Sequence, residues 1–191
     1  MTEKQRQFEA PAEIGEFSER LRQLDRGDLS ILRRNAGENL ATSRRAIGIF
    51  YGLLSPGCRV HEEVYFLAAT LYGLNDRSFS GDFGQTMKAV KVTSAKESLD
   101  TRVKILLDCD LEVTDGRLRR GGELGYRLRQ AVKLAGSNQI GVDWVQLIYH
   151  LDHWRDASRW VQKAWARSFF QQVRPNHEGA TAPEEVSNDA D

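Results

Sequence analysis

The sequence VYFLAATLYGL, which begins at Val64, is apolar on nearly every side when it is drawn as a helix. A helix of this kind is stable in water only when other elements surround it, so the segment predicts the central buried helix of an N-terminal half. No part of the chain alternates convincingly between apolar and polar residues with a period of two, as a half-buried strand does. The sequence therefore predicts an all-α fold.

The chain is expected to form two packed helical bundles in one compact body. Residues 11–110 form the N-terminal helical half, 117–174 the basic C-terminal helical half, and 175–191 an acidic tail that is predicted to be disordered. A mobile basic loop at residues 111–122, with several glycines, is expected between the halves.

Residues that favour helix ends place the first helices. Pro11 suits the first turn of a helix that Gly27 is expected to end. Asp28 is then expected to cap a second helix, which stops at Gly37, and Ser98 to cap the helix LDTRVKILLDCDL.

A row of basic residues lies in the stretch VDWVQLIYHLDHWRDASRWVQKAWARSFF. Arg159, Lys163 and Arg167 follow one another at i+4, which would place them on one helix face. Like charges at this spacing destabilise a helix by roughly 0.2–0.5 kcal/mol per pair, so the row does not serve stability. It indicates an anionic partner, and the alternative is a merely solvated face.

Other cations occupy exposed or unfavourable positions. Arg129 and Lys133 share the polar face of the amphipathic segment LGYRLRQAVKLAG. Arg44 and Arg45 fall in the first turn of a predicted third helix, where the helix dipole disfavours cations. The candidate nucleic-acid-binding residues are Arg33, Arg34, Arg44, Arg45, Arg119, Arg120, Arg127, Arg129, Lys133, Arg159, Lys163 and Arg167.

The distribution of charge supports these candidates. The formal net charge is zero, yet the last 17 residues hold five acidic groups and no Lys or Arg, so the rest of the chain has 27 basic against 22 acidic residues. Residues 117–174 carry a net charge of +7, whereas residues 1–116 carry −2. Such polarisation is the electrostatic pattern of a surface that meets phosphates, but it does not identify the polyanion.

The sequence gives weaker support for a catalytic or metal-binding function than for the binding of a polyanion. His150 and His153 lie near acidic residues, but the HExxH pattern and a third ligand cluster are absent from the sequence. The acidic run Asp108, Asp110 and Glu112 lacks the second carboxylate group or lysine of a nuclease site, and a solvated helix end explains it better. The sequence also contains no Walker loop, GxSxG elbow or kinase signature. We therefore expect that the protein is not an enzyme and that it binds neither a metal nor a cofactor.

The aromatic residues of the C-terminal half divide into two kinds. Trp154 and Trp165 fall on the apolar stripe of the last helical stretch and are expected in the core. Trp160, Phe170 and Tyr126 lie at the edges of basic faces and are candidates for base stacking or for an interface.

The sequence leads us to expect a cytoplasmic protein. No stretch approaches the roughly 18 apolar residues of a membrane span, and MTEKQRQFEA lacks the apolar region of a secretory signal. Cys58 and Cys109 are expected to be reduced and structural, since they show no CxxC spacing.

Several segments together resemble a known family. The most specific are YRLRQAVKL, VDWVQLIYHLDHW and VQKAWARSFF, and the earlier segments LDRGDLSILRRNAG, EEVYFLAATLYGL, GDFGQTMKAV and SLDTRVKILLDCD precede them in order. Across residues 24–170 the sequence resembles the CasB family, the small subunit of the type I-E CRISPR Cascade complex.

The resemblance implies a non-catalytic, all-helical protein that is present as two copies in a complex built on a CRISPR RNA. It implies a basic surface that holds the displaced DNA strand and stabilises the R-loop. The implied partners are other Cascade protein subunits, the CRISPR RNA complex, target DNA and a second copy of the chain. The residues leave two alternatives open: a helix-turn-helix regulator that reads duplex DNA through SNQIGVDWVQLI, and a purely structural subunit whose basic face meets acidic protein.

Overall fold

The computed structural model of this chain describes residues 11–57, 60–94, 98–111, 113–114, 117–118 and 123–171. The sequence predictions for Cys58, Glu112, Arg119, Arg120 and the acidic tail concern residues outside these ranges.

The described part of the chain is helical, which confirms the all-α prediction. Leu40–Thr42 forms a single 3₁₀ turn, and the loop expected between the halves contains a two-residue antiparallel strand pair, β1 (Val113–Thr114) and β2 (Arg117–Leu118). No helix in the described ranges has the length and apolar character needed to cross a membrane. The helices are α1 (Ala12–Arg22), α2 (Arg26–Arg34), α3 (Arg44–Leu53), α4 (Glu62–Tyr72), α5 (Phe83–Ser94), α6 (Leu99–Asp108), α7 (Glu123–Ser137), α8 (Trp144–Asp152) and α9 (Trp160–Phe170).

Helix α4 is the central buried helix, as its sequence predicts. Every residue from position 63 to position 72 is buried, and α2, α7 and α8 pack around the helix. The Phe66 ring meets Phe50 of α3 edge to face, with 5.4 Å between the ring centroids, and Tyr65 meets Phe17 of α1 in the same way at 5.0 Å. Each fully buried side chain of this size stabilises the fold by roughly 1.5–3 kcal/mol, so α4 organises the core.

The most extensive packing between two helices joins α5 to α9. Gly84 of α5 lies so close to α9 that a Cβ atom at this position would stand 2.2 Å from the carbonyl oxygen of Trp165. The Phe83 and Trp165 rings lie 5.0 Å apart between centroids. One hydrophobic core therefore runs through the described residues of both predicted halves, and the division at residues 110–117 stays a prediction.

Two expected helix boundaries differ in the structure. Helix α1 follows Pro11 as predicted, but it ends at Arg22, before Gly27. The residue that caps α2 is Asp25, whose carboxylate accepts a hydrogen bond of 2.8 Å from the backbone N–H of Asp28. The predicted cap at Asp28 is wrong because Asp25 has the extended backbone of an N-cap, while Asp28 already lies in the first turn.

The expected cap of α6 also differs. Ser98 precedes the helix at Leu99, which is where the sequence places it. Its side chain makes no capping hydrogen bond, and its backbone is already in the right-handed helical region. The residue therefore marks the boundary of the helix without capping it.

Candidate nucleic-acid interface

Most candidate cations lie exposed at the surface. In the described part of the chain, eight of them are exposed and their side chains take part in neither an ion pair nor a hydrogen bond. Their charge is therefore available to a partner from outside the chain. These eight are Arg33, Arg34, Arg44, Arg45, Arg129, Lys133, Lys163 and Arg167.

The turn that follows α2 lies against α7, which brings Arg129 close to a segment that is distant in the sequence. Gly37 has a positive φ of 80°, and a Cβ atom here would lie 3.5 Å from Cδ of Arg129. Only a residue that tolerates this backbone region places the chain so close to α7 at this turn. We refer to Arg33, Arg34, Arg129 and Lys133 as the α2–α7 basic group.

A second contact fixes the same arrangement through the end of α4. The position of a Cβ atom on Gly73 lies 2.6 Å from the backbone nitrogen of Arg33, so the end of α4 and α2 touch through their backbones. Two residues later, Asn75 lies 3.4 Å from the Cβ position of Gly136 in α7. The turn after α4 therefore holds α2 and α7 in a fixed relation.

Arg44 and Arg45 lie in the first turn of α3, as predicted. The preceding residue, Ser43, makes no side-chain cap, and the first turn contains no acidic residue. Two cations thus stand at the positive end of the helix dipole without compensation from their own helix. They follow Gly37 closely in sequence, beyond the 3₁₀ turn at Leu40–Thr42.

The row of three cations predicted on one helix is shorter in the structure. Lys163 and Arg167 are exposed in α9, and we call this pair the α9 basic group. Arg159 precedes the helix with a left-handed backbone, φ 53°, and its guanidinium donates a hydrogen bond of 2.6 Å to the carbonyl oxygen of Leu107. The expectation that Arg159 continues the helical row is wrong, because the chain turns before α9.

A local turn explains why the helix is interrupted. The carboxylate of Asp156 accepts hydrogen bonds from the backbone N–H of Ser158, at 2.8 Å, and from its hydroxyl, at 2.6 Å. Such a side-chain turn competes with helix formation. The stretch therefore forms two helices, α8 and α9, and the Asp143 carboxylate caps the first of them by accepting a hydrogen bond from the backbone N–H of Gln146.

The two basic groups belong to different parts of the structure. Helix α9 packs mainly on α5 and α6, whereas α2 packs mainly on α3 and α4. Helix α5 links the groups, since it packs against both α7 and α9. The contacts described above join Arg129 to the turn after α2, and none of them joins Lys163 or Arg167 to that group.

Arg127 differs from the other candidates because it is partly neutralised. Its guanidinium forms an ion pair of 3.3 Å with Glu123 one turn earlier and lies 5.7 Å from the ring centroid of Tyr126. Its Nε is covered from solvent and makes no hydrogen bond in the described structure. The side chain is therefore held at the surface of α7 with one donor still unsatisfied.

Arg102 of α6 is an exposed cation that is missing from the candidates selected by sequence. No acidic side chain in the described ranges pairs with it. Helix α6 buries its apolar positions Leu99, Val103 and Leu106. At 100° per residue Arg102 lies at the edge of this apolar face and not opposite it, so helical phase alone does not single it out.

The aromatic residues are placed largely as predicted. Trp154 and Trp165 are buried in the core, which confirms the expectation for both. Trp160 is half-buried and packs against Tyr149, with 5.9 Å between ring centroids. Tyr126 remains half exposed, so it is the more accessible stacking candidate.

His150 has a structural role. Its Nδ1 accepts a hydrogen bond of 2.8 Å from the indole N–H of Trp165. Burial, with a smaller effect of His153, lowers the pKa of His150 to about 4, so the ring is neutral at neutral pH. Nowhere in the described ranges do three His, Cys, Asp or Glu side chains form a group suited to a metal ion.

The chain matches a known family and known structures. The sequence model of the family described as CRISPR-associated protein Cse2 matches residues 28–170. The fold is similar to that of a Cse2-family CRISPR-associated protein from Thermus thermophilus, with a TM-score of 0.66 and 25% identity over 85% of this chain and 99% of that chain. It is also similar to M. ruber CasB, with a TM-score of 0.67 and 25% identity over 85% of this chain and 94% of that chain.

A chain in a structure described as a CRISPR RNA-guided surveillance complex has the same fold, with a TM-score of 0.67 and 17% identity over 83% of this chain and 91% of that chain. No curated protein matches the sequence significantly. Because the family match extends over most of the sequence and the described helices reproduce the fold of these structures, the chain belongs to the Cse2 family of CRISPR-associated proteins, in agreement with its CasB resemblance.

Proposed function

We propose that this chain is a non-catalytic subunit of a CRISPR RNA-guided surveillance complex and that it holds the displaced DNA strand. The observation that supports the proposal is the α2–α7 basic group, four exposed cations without ion pairs on two helices that the contacts of Gly37 and Gly73 hold in a fixed relation. Membership of a CRISPR-associated family and the shared fold of a surveillance-complex chain support it.

The proposed mechanism needs no base recognition by the protein. Pairing between the guide RNA and the target strand supplies sequence specificity, and the protein neutralises the backbone of the strand that is left unpaired. Arg and Lys side chains release condensed counterions when they meet phosphates, and this release favours binding independently of sequence. Holding the displaced strand opposes reannealing and so stabilises the R-loop.

The proposed partners are those that the family resemblance implies. They are the other protein subunits of a Cascade complex, the CRISPR RNA complex, the displaced strand of target DNA and a second copy of this chain. The structure of a related chain within a surveillance complex supports this assignment at the level of the fold. A cytoplasmic site of action stays a prediction.

The helix-turn-helix alternative is less consistent with the structure. Its second helix would be α8, whose residues Trp144, Leu147, Ile148 and Leu151 are buried in the core. The candidate for reading bases, Gln146, is half-buried, and its side-chain oxygen is covered from solvent. A recognition helix in the major groove instead has to present its first residues to base edges.

A mobility-shift titration of the purified full chain against random single strands and random duplex of equal length tests the proposal. We expect the single strand to bind about tenfold or more tightly than the duplex, because a flexible backbone can follow the basic groups while its bases stack. Preference for duplex, or for one particular sequence, would support a regulator and contradict the proposed function.

A further inference from the structure

A groove of about 270 Å³ lies between α6 and α7, over Met87 of α5. Apolar residues such as Val103 of α6 and Ala131 of α7 line it together with polar residues, and the two kinds expose similar amounts of surface. Ligand pockets in proteins are usually about 300–1,000 Å³, so this groove has room for one flat ring and little more. The proposed contacts with phosphates do not use it.

The rim of the groove is polar and rich in hydrogen-bond donors. Tyr126, Arg127 and Gln130 of α7 form one side, and Arg102 of α6 lies on the other. The Nε of Arg127 is covered from solvent and makes no hydrogen bond in the described structure, although the same guanidinium pairs with Glu123. Because this Nε is covered, a bound molecule would meet the exposed N–H groups at the end of the guanidinium instead.

The groove adjoins the α2–α7 basic group. At 100° per residue, Lys133 lies on α7 between Arg129 and the pair Tyr126 and Gln130. A nucleic-acid strand that follows Arg129 and Lys133 therefore reaches the rim of the groove at its next step around the helix. Arg102 supplies a further free cation on the opposite wall.

We propose that this groove receives one unpaired nucleobase of the bound single strand. The strand's phosphates then lie on Lys133 and Arg102, while the base enters between α6 and α7, stacks on Tyr126 and accepts a hydrogen bond from Arg127. An apolar side chain of a partner protein fits the walls equally well, but it would leave the donors of the rim unsatisfied and the flanking cations unpaired. This inference rests on the proposed function, since it assumes that a single strand is bound.

The test compares a random single strand with an abasic strand of equal length, measured by fluorescence anisotropy with the full chain. We expect the unaltered protein to bind the strand with bases about tenfold more tightly, because stacking on an aromatic side chain has an effect of that order. Tyr126→Ala and the groove-filling Ala131→Leu should reduce this ratio towards one without changing the affinity for the abasic strand. Tyr51→Ala, which alters a tyrosine that is 47% exposed against 49% for Tyr126, should keep the ratio.

The other outcomes contradict the inference in distinguishable ways. Equal affinity of the unaltered protein for the two strands would contradict the base site but not the proposed binding of phosphates. A ratio unchanged by both groove variants would place the bases elsewhere. If the groove instead receives a partner's side chain, the ratio is one and the groove variants fail to enter the complex. If neither strand binds, both the inference and the proposed function are wrong.

Discussion

Reversal of the α2–α7 basic group, with Arg33, Arg34, Arg129 and Lys133 all replaced by Glu, is expected to lower the affinity for a random single strand by at least a hundredfold. All four side chains are exposed and have no ion pair among the described residues, so their charge is available to phosphates. A hydrogen bond to a charged group contributes roughly 1.5–3 kcal/mol, and the loss of two such contacts already accounts for a factor of about one hundred.

The matched control reverses four exposed cations that lie outside the group: Arg26, Arg77, Lys104 and Arg155. The control changes the net charge by the same amount. It therefore distinguishes binding at the α2–α7 basic group from a general electrostatic attraction between the strand and the protein. We expect the control to lose much less affinity than the variant at the same ionic strength. Equal losses would show that no specific surface carries the binding. If the unaltered protein does not bind free strands and the variant fails to join the complex, the result would support the alternative of a purely structural subunit.

Gly84→Ala is expected to destabilise the protein by about 3 kcal/mol, the upper end of the usual cost of overpacking a core. The added methyl group would stand 2.2 Å from the carbonyl oxygen of Trp165, and a backbone atom cannot move aside as a flexible side chain can. Helices α5 and α9 would have to separate, which opens the most extensive helix contact of the described fold. Urea unfolding, followed by tryptophan fluorescence, measures the loss.

Gly48→Ala is the matched control for this substitution. Gly48 lies in α3, and a Cβ atom there would meet nothing within 4 Å. Because alanine favours a helix over glycine by up to about 1 kcal/mol, this variant should be slightly more stable than the unaltered protein. An unchanged unfolding midpoint for Gly84→Ala would contradict the close approach of the two helices.

The sequence predicts the helices and the core well because apolar periodicity decides both. The central position of α4 could be predicted because its sequence is apolar on nearly every side. The burial of Trp154 and Trp165 could be predicted because both lie on one apolar helical stripe. Local signals fail where two candidates are equivalent. Asp25 and Asp28 are both aspartates, three positions apart, and only the backbone conformation of Asp25 decides which of them caps α2.

The arrangement of the site depends on contacts between residues that are distant in sequence. Helical phase identifies Arg33 and Arg129 as exposed, but the approach of Gly37 to Arg129 spans 92 positions and follows from how α2, α4 and α7 pack. The prediction for Arg159 fails because the turn at Asp156 and Ser158 interrupts the helix, and its guanidinium then meets the carbonyl oxygen of Leu107, 52 positions earlier. Charge and phase can select candidate cations, whereas tertiary packing decides which of them form one surface.

The salt dependence of single-strand binding by the unaltered protein is the sharpest test of whether phosphate contacts hold the strand. If about four to six phosphates are neutralised, the logarithm of the affinity falls against the logarithm of salt concentration with a slope of roughly −0.7 per contact, or about −3 to −4 in total. We therefore expect a loss of affinity of about a hundredfold between roughly 50 and 200 mM salt. An affinity that stays nearly constant across this range would contradict the claim that phosphate contacts from the basic surface hold the strand.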